Sequence, residues 1–219
     1  MKTLQISDAA LEELPIFPLS QVVLFPRALL PLHVFEQRYR TMVRDALASH
    51  RVMAIALVPD PNDIGEHGHP RISAMAGVGV IVEHQPLADG RSNILLHGQA
   101  RVRLHELPYV PPYRRARATV VQEVLSHVPE TDRAALLASA SAFGAEVAKR
   151  DPKFSFHLPP SLEPGKVADL CAHHLVIDAH ARQAILEELD VAERVRKVIA
   201  ELAAQHGTLS LREGGGSLN

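Results

Sequence analysis

The spacing of hydrophobic positions changes character at about residue 122. Before that point, short apolar runs and strict two-residue alternation predominate, as in Val52 to Val58, Ala76 to Glu83 and Ala100 to His105. Glycine, proline and an Asp-Gly pair bound these runs, and such punctuation is typical of strands joined by turns. Five or six strands of this kind predict a small, strongly bent sheet or barrel.

One helix interrupts this β region. From Phe35 the period of the apolar positions lengthens from two to about 3.6 residues, the repeat of an α-helix. The apolar residues at that spacing are Phe35, Tyr39, Met42 and Ala46. We therefore predict a helix over about 34–48. Glu36 and Arg40 lie one turn apart on another face of it, in the favourable order for a surface ion pair.

The chain beyond residue 122 predicts helices. Apolar residues recur there at steps of three and four, in Thr131 to Arg150, Lys166 to Leu175, Ala181 to Leu189 and the segment after Asp190. Asp190 and Glu193 have the spacing of a capping box. Residues 207–219 are rich in glycine and predict a flexible tail. We therefore predict an α+β chain with a β subdomain at 1–122 and a helical subdomain at 123–206.

Composition narrows the class of protein. The chain has 219 residues, a formal net charge of −2 and 47 % hydrophobic residues, which are ordinary values for a soluble globular protein. The charge gives no general attraction to nucleic acid or to acidic membranes. Cys171 is the single cysteine, so no internal disulfide can form. The N-terminus lacks the long apolar core of a signal peptide, and no apolar run reaches the roughly 20 residues of a membrane span. We therefore expect a cytoplasmic protein with no membrane association.

Several segments follow one another in a familiar order. Leu14 to Val43 holds two short strands closed by prolines and an amphipathic helix, and residues 77–104 hold a glycine-containing strand, an Asp-Gly-Arg turn and a further strand. A Leu-Asp-Val corner follows at residues 189–191. From about residue 14 to residue 203 the chain resembles the Lon substrate-binding domain, which is the N-terminal domain of ATP-dependent Lon proteases. It is especially similar to short bacterial proteins that consist of this domain alone.

The resemblance implies a PUA-like β pseudo-barrel with one inserted helix, followed by a C-terminal helical bundle. It also implies binding to polypeptides, either an unfolded or tagged protein or a protease or chaperone partner. The ATPase and protease modules of the family have no counterpart in this sequence. Gly165-Lys166-Val167 lacks the upstream glycine and the Ser or Thr of a phosphate-binding loop. We therefore expect a stand-alone, proteolysis-related domain that is not an enzyme and needs no cofactor.

Basic residues on two strands form the first candidate binding surface. The alternating positions are Arg101, Arg103, Arg115 and Arg117. If the two strands pair, four guanidinium groups share one sheet surface, which suits phosphate or acidic side chains. The alternative is a solvated outer face whose charge is balanced by nearby glutamates such as Glu106 and Glu123.

A second candidate is an apolar stripe in an extended connector. Phe154 and Phe156 alternate there with Ser155 and His157. Such a stripe can hold an unfolded peptide by strand addition or by insertion into a groove. The alternative is that the connector pins two subdomains together.

Histidine and cysteine give weaker signals. Glu66, His67 and His69 could supply two metal ligands from one loop, but nothing marks a third ligand. Cys171 lies on an apolar helical stripe, which indicates a thiol in the core rather than a nucleophile paired with His174. We expect His174 to be half-buried and His173 to be on the surface, with no metal site.

Two functions therefore remain open. The first is a non-catalytic protein- or peptide-binding module. The alternative is RNA binding through the arginine-rich face, since RNA-binding proteins share PUA-like barrels. The arginines have no interleaved aromatic side chains on which bases could stack, and this weakens the alternative. Salt separates the two functions, because an interaction with RNA weakens steeply as salt rises.

Overall fold

The computed structural model describes residues 6–65, 68–151, 154–156, 158 and 161–214, with the backbone alone at 209–214. The chain divides into two compact units, residues 1–122 and 123–219. Each unit is described by itself.

The first unit is mainly β. Its elements in chain order are α1 (Asp8–Glu12), β1 (Leu14–Leu19), β2 (Leu29–Val34), α2 (Gln37–Ala48), β3 (Val52–Leu57), β4 (Met75–Pro86), β5 (Ser92–Glu106) and β6 (Arg115–Val120). The six strands agree with the five or six predicted, and short α1 is the one element of this unit that was not predicted.

The sheet closes on itself. The strand order is β2-β5-β4-β3-β1-β6, and β5 also pairs with β6, so that five strands form a closed ring and β2 lies outside it. The β1–β3 pair is parallel and the other pairs of the ring are antiparallel. Closure removes the free edges of the five strands. The predicted α+β class with a β pseudo-barrel is confirmed.

Small and aliphatic side chains fill the barrel, as the scarcity of aromatic residues required. Its core includes Leu14, Ile16, Ala54, Val78 and Leu104, which are all buried. On the opposite face of the sheet, the chain between β1 and β2 lies directly against the strands. A Cβ on Gly77 would lie 1.9 Å from Leu24 O, and a Cβ on Gly98 would lie 2.0 Å from Phe25 O. Glycine at these two positions therefore permits a contact that any side chain would block.

Helix α2 begins later than predicted. Glu36 is its N-cap and has extended backbone angles, so Phe35 precedes the helix and is 60 % exposed. The placement of Phe35 on the same helical face as Tyr39 and Met42 is therefore wrong, whereas Tyr39 and Met42 do lie on α2 and are buried. The carboxylate of Glu36 binds Arg38 Nε at 2.9 Å, which corrects the predicted pairing with Arg40.

The second unit is helical. Its elements are α3 (Glu130–Arg150), α4 (Pro164–Leu175), α5 (Ala179–Glu187) and α6 (Val191–Gly214). Both α3 and α4 contact α6. One bond of the predicted capping box forms, since Asp190 Oδ1 accepts from Glu193 N at 3.0 Å. The reciprocal bond does not involve Glu193, because Asp190 N donates to Glu188 Oε1 at 3.1 Å.

The last helix runs further than the sequence predicted. α6 continues beyond His206 to Gly214, so the predicted end of the last helix at residue 206 is wrong. Flexibility of the tail stays a prediction, and residues 215–219 lie outside the described residues. The prediction treated Gly207 as a helix stop. A single glycine lowers helix propensity by only about 1 kcal/mol relative to alanine, and ending a helix by a left-handed cap requires a positive φ, which this glycine does not have. Within the described residues, the helices include none that is long and apolar enough to cross a membrane.

Candidate functional site

The predicted arginine surface lies on paired strands. In the β5–β6 pairing, Arg103 lies opposite Thr119 and His105 lies opposite Arg117. Residues directly opposite each other in an antiparallel pair have their side chains on the same face. Four arginines therefore share one face, Arg101, Arg103, Arg115 and Arg117.

The contacts of these arginines differ from both surfaces that the sequence suggested, an open arginine surface and one balanced by glutamates such as Glu106 and Glu123. Arg101 is 2 % exposed, so the expectation of four open guanidinium groups needs correction at this residue. Arg115 Nη1 lies 2.7 Å from Glu13 Oε2, and Arg117 Nε lies 2.9 Å from Glu12 Oε2. The balancing carboxylates thus come from the α1 region, which periodicity did not reveal. A binding role for the four arginines stays a prediction.

The predicted phenylalanine stripe lies inside the second unit. Phe154 and Phe156 follow α3 and precede α4, so the segment does not connect the two units. Both side chains are half-buried. The ring of Phe156 lies 5.5 Å from that of His174, and a Cβ on Gly144 would lie 4.0 Å from Phe154 Cε1. A binding role for these phenylalanines also stays a prediction.

Cys171, His173 and His174 lie on α4. Cys171 is buried, and burial raises the pKa of its thiol to about 12, which suits the predicted core position. His174 is exposed and His173 is half-buried, the reverse of the prediction. Glu66 and His67 lie outside the described residues. Among the residues that the structure does describe, no three His, Cys, Asp or Glu side chains converge as metal ligands.

A groove in the first unit brings Tyr39 together with Tyr109 and Tyr113, which are 70 or more positions away in the sequence. We call it the tyrosine groove and define it by Pro18, Tyr39, Pro70, Tyr109, Pro112 and Tyr113. Its volume is about 170 Å³, and it adjoins a wider cavity of about 540 Å³ that shares Pro70, Tyr109 and Arg114 with it.

Helix α2 supplies the floor of the tyrosine groove. Tyr39 is 5 % exposed, and its ring centroid lies 4.2 Å from that of Phe17 on β1. The guanidinium of Arg38 lies 4.5 Å from the centre of the Tyr39 ring, within the range of a cation–π contact. Burial raises the pKa of Tyr39 above its ordinary value.

The segment between β5 and β6 supplies one wall. Tyr113 Oη donates to Asp45 Oδ2 at 3.0 Å, and burial together with this hydrogen bond raises the Tyr113 pKa. The Tyr109 ring meets the His69 ring edge-on, with 4.6 Å between the centroids. Both tyrosines are half-buried and line the groove.

Arg114 fixes the border between the groove and the wider cavity. Its Nη2 lies 2.6 Å from Glu106 Oε2, and its Nη1 donates to Pro70 O at 2.7 Å. These contacts tie the start of β6 to the end of β5 and to the loop before β4. The result is a preformed concave surface of aromatic and proline rings with hydrogen-bonding groups at its border, which is the usual composition of a binding site.

This groove was not predicted from the sequence. The signal was the run Leu-Pro-Tyr-Val-Pro-Pro-Tyr at 107–113, which holds two of the three tyrosines in a chain with only 4 % aromatic residues. The third, Tyr39, was correctly predicted to lie on the helix that is α2. That Tyr39 lies close to Tyr109 and Tyr113 depends on the order of the strands, which local periodicity does not predict.

Comparisons with a family model and with individual proteins indicate the same family. The family described as the ATP-dependent protease La (LON) substrate-binding domain matches residues 13–204. A Lon protease of Roseiflexus castenholzii is 33 % identical over 204 residues, covering 91 % of this chain and 25 % of the relative. A Lon protease of Dictyoglomus thermophilum is 28 % identical, covering 85 % of this chain and 24 % of the relative. The chain thus spans about a quarter of the length of these relatives.

Solved structures show the same fold. A Lon N-terminal domain protein from Xanthomonas campestris superposes with a TM-score of 0.62 at 21 % identity, covering 86 % of this chain and 97 % of that one. The N-terminal domain of a Mycobacterium avium complex Lon protease superposes with a TM-score of 0.60 at 16 % identity, covering 88 % and 98 %. At these identities the likeness concerns the fold alone.

Proposed function

The chain belongs to the Lon substrate-binding domain family, and on that premise we propose that it is a non-catalytic module whose tyrosine groove binds an extended segment of a polypeptide. The family match supports substrate recognition as the general role. The matched region of the Lon relatives is about a quarter of their length. That this chain neither hydrolyses ATP nor cleaves peptides is therefore part of the proposal.

The observation that carries this proposal is the gathering of Tyr39, Tyr109 and Tyr113 in one preformed groove. Tyrosine offers a large apolar ring at low conformational entropy cost together with a hydroxyl for hydrogen bonding. An extended polypeptide presents apolar side chains and unsatisfied backbone groups, and the groove has partners for both. Because the rings are held by Phe17, His69 and Asp45, binding requires little ordering of the protein.

The proposed ligand is an unfolded or tagged polypeptide, or a protease or chaperone that presents such a segment, in the cytoplasm. RNA binding through the arginine face gains no support from the family match. Two of its arginines are engaged by Glu12 and Glu13 and a third is buried, so little positive charge is open for phosphates.

Binding can be tested with a reduced and carboxymethylated protein that cannot refold, labelled with fluorescein and followed by fluorescence anisotropy. We expect saturable binding to the full chain. Tyr109→Ala removes a half-buried groove ring and should weaken binding about tenfold, since a central aromatic contact is worth at least about 1.4 kcal/mol. Tyr39→Ala is unsuitable because Tyr39 belongs to the core.

Phe35→Ala is the matched control, because it removes an exposed aromatic ring outside the groove. We expect its affinity to stay within about twofold of wild type. Arg103→Glu and Phe156→Ala test the two surfaces predicted from sequence. If these variants lose affinity while Tyr109→Ala keeps it, the groove assignment is wrong. If wild type does not bind the unfolded protein at all, the proposed function is wrong.

A further inference from the structure

A basic cleft lies on another side of α2, away from the tyrosine groove. It is formed by α2 and the turn between β4 and β5, and its volume is about 320 Å³. The charged and titratable side chains that line it are Arg40, Arg44, His84 and Arg91. Among the described residues, its lining includes no aspartate or glutamate. Such a concentration of positive charge is not expected from the net charge of the chain, which is −2.

Arg40 is the central residue of the cleft. Gly90, at the tip of the turn, has a φ of +80°, and a Cβ there would lie 1.9 Å from Arg40 Nη2. The guanidinium therefore lies directly on the backbone of the Asp-Gly-Arg turn. Its Nε is buried and has no hydrogen-bond partner among the residues that the structure describes. A buried donor in this state calls for a ligand or water to complete it.

The two other arginines are partly engaged. Arg44 Nη2 lies 3.2 Å from Asp45 Oδ1, and Arg91 Nε lies 2.6 Å from Asp89 Oδ2. Both carboxylates flank the cleft and neither lines it. The charge of Arg40 is thus left for a ligand, while Arg44 and Arg91 line the cleft with part of their donors engaged by Asp45 and Asp89.

Neutral donors complete the surface. The cleft also has the hydroxyls of Thr41 and Ser92 and the amide of Gln37 on its lining. A phosphoryl group has more acceptor oxygens than a carboxylate and can use guanidinium, hydroxyl and amide donors together. We propose that this cleft binds a phosphoryl group, carried on a small molecule or free as phosphate. This proposal does not rest on the function proposed above.

Calorimetric titration of the full chain with inorganic phosphate at constant ionic strength tests the site, with phosphoserine and acetate as parallel ligands. We expect saturable phosphate binding below about 10 mM, which corresponds to roughly −3 kcal/mol. Binding of phosphoserine at least as tight would indicate an ester as the ligand, and binding of free phosphate alone would indicate the inorganic ion. Acetate binding as tightly as phosphate would overturn the choice of a phosphoryl group.

Arg40→Gln should weaken phosphate binding about tenfold, the effect of losing one charge-assisted pair. Arg133→Gln is the matched control, because it removes the same charge from an exposed position on α3 and should change little. Arg44→Gln gives a second test, for which we expect a smaller loss of affinity. The Arg44 side chain is 72 % exposed, so its replacement should change folding stability little. The proposal fails if wild type shows no saturable binding, or if Arg133→Gln weakens binding as much as the two cleft variants.

Discussion

Tyr113 Oη donates a hydrogen bond to Asp45 Oδ2 at 3.0 Å, although 68 positions separate the two residues in the chain. Tyr113 belongs to the proline-rich segment before β6, and Asp45 belongs to the last turns of α2. The bond joins the wall of the tyrosine groove to the helix that forms its floor. The shape of the groove thus depends on a contact between elements that no local pattern relates.

A double-mutant cycle can measure this contact. Tyr113→Phe and Asp45→Asn should each destabilise the first unit, and the two changes together should cost less than their sum, with a coupling of about 1 kcal/mol for a half-buried hydrogen bond to a charged group. Urea unfolding of the four proteins followed by circular dichroism supplies the free energies. Additive losses would show that the bond does not stabilise the groove wall.

The buried ion pairs of the second unit give a larger effect. Arg194 is fully buried, its Nη2 lies 2.6 Å from Glu123 Oε1, and its Nε lies 3.1 Å from Asp169 Oδ1. Arg194→Ala removes the positive charge that pairs with Asp169, a residue that is only 4 % exposed. We expect a loss of about 3–5 kcal/mol in the free energy of unfolding.

Arg196 provides the matched comparison on the same helix. It also pairs with two carboxylates, those of Asp132 and Glu193, but its side chain is 49 % exposed. Solvent screens such pairs, so Arg196→Ala should cost no more than about 1 kcal/mol. Similar losses for Arg194→Ala and Arg196→Ala in urea unfolding would contradict the assigned role of burial.

The close approach of the chain to the barrel strands predicts a steric effect. Gly77→Ala would place a Cβ 1.9 Å from the backbone oxygen of Leu24, which cannot move without shifting its segment. We expect a loss of about 3 kcal/mol or more in thermal or urea unfolding. Gly68→Ala is the control, since Gly68 has a φ of +70° but open space around it and should lose only about 1 kcal/mol. Equal losses for Gly77→Ala and Gly68→Ala would show that the backbone of Leu24 does not pack tightly against Gly77.

Local pattern was enough for most of the fold. The apolar runs predicted the strands and the α2 helix because most apolar side chains of these segments are buried in the fold. Phe35 was misplaced because periodicity continues past a cap that only backbone angles define. The extent of α6 was underestimated because glycine marks a helix stop only where φ becomes positive.

The candidate site was harder to predict because it depends on which strands are neighbours. The arginines do share one face, as alternation predicted, but Glu12 and Glu13 lie beside Arg117 and Arg115 only because β1 pairs with β6. The same closure brings the prolines and tyrosines at 107–113 beside α2. Sequence spacing carries no information about such pairings between distant strands.

Cys171 gives a dependence of stability on pH. Burial raises the pKa of its thiol from 9.0 to about 12, so the folded chain keeps the proton at pH values where the unfolded chain releases it. The resulting stabilisation is fully present below pH 9 and declines as the pH rises from 9 toward 12. Cys171→Ala should therefore show a shallower loss of stability over this range than wild type, measured by urea unfolding at several pH values.

The reactivity of the same thiol is the most direct test of its burial. A pKa of about 12 in place of 9.0 lowers the thiolate fraction at pH 8 about a thousandfold, and only the thiolate attacks disulfide reagents. The native chain should therefore react with 5,5′-dithiobis(2-nitrobenzoate) at least about a thousandfold more slowly than the chain in urea, because burial also blocks access. Absorbance at the thionitrobenzoate band follows both reactions, and Cys171→Ala supplies the blank. A native rate within tenfold of the unfolded rate would place Cys171 at the surface of the helical unit.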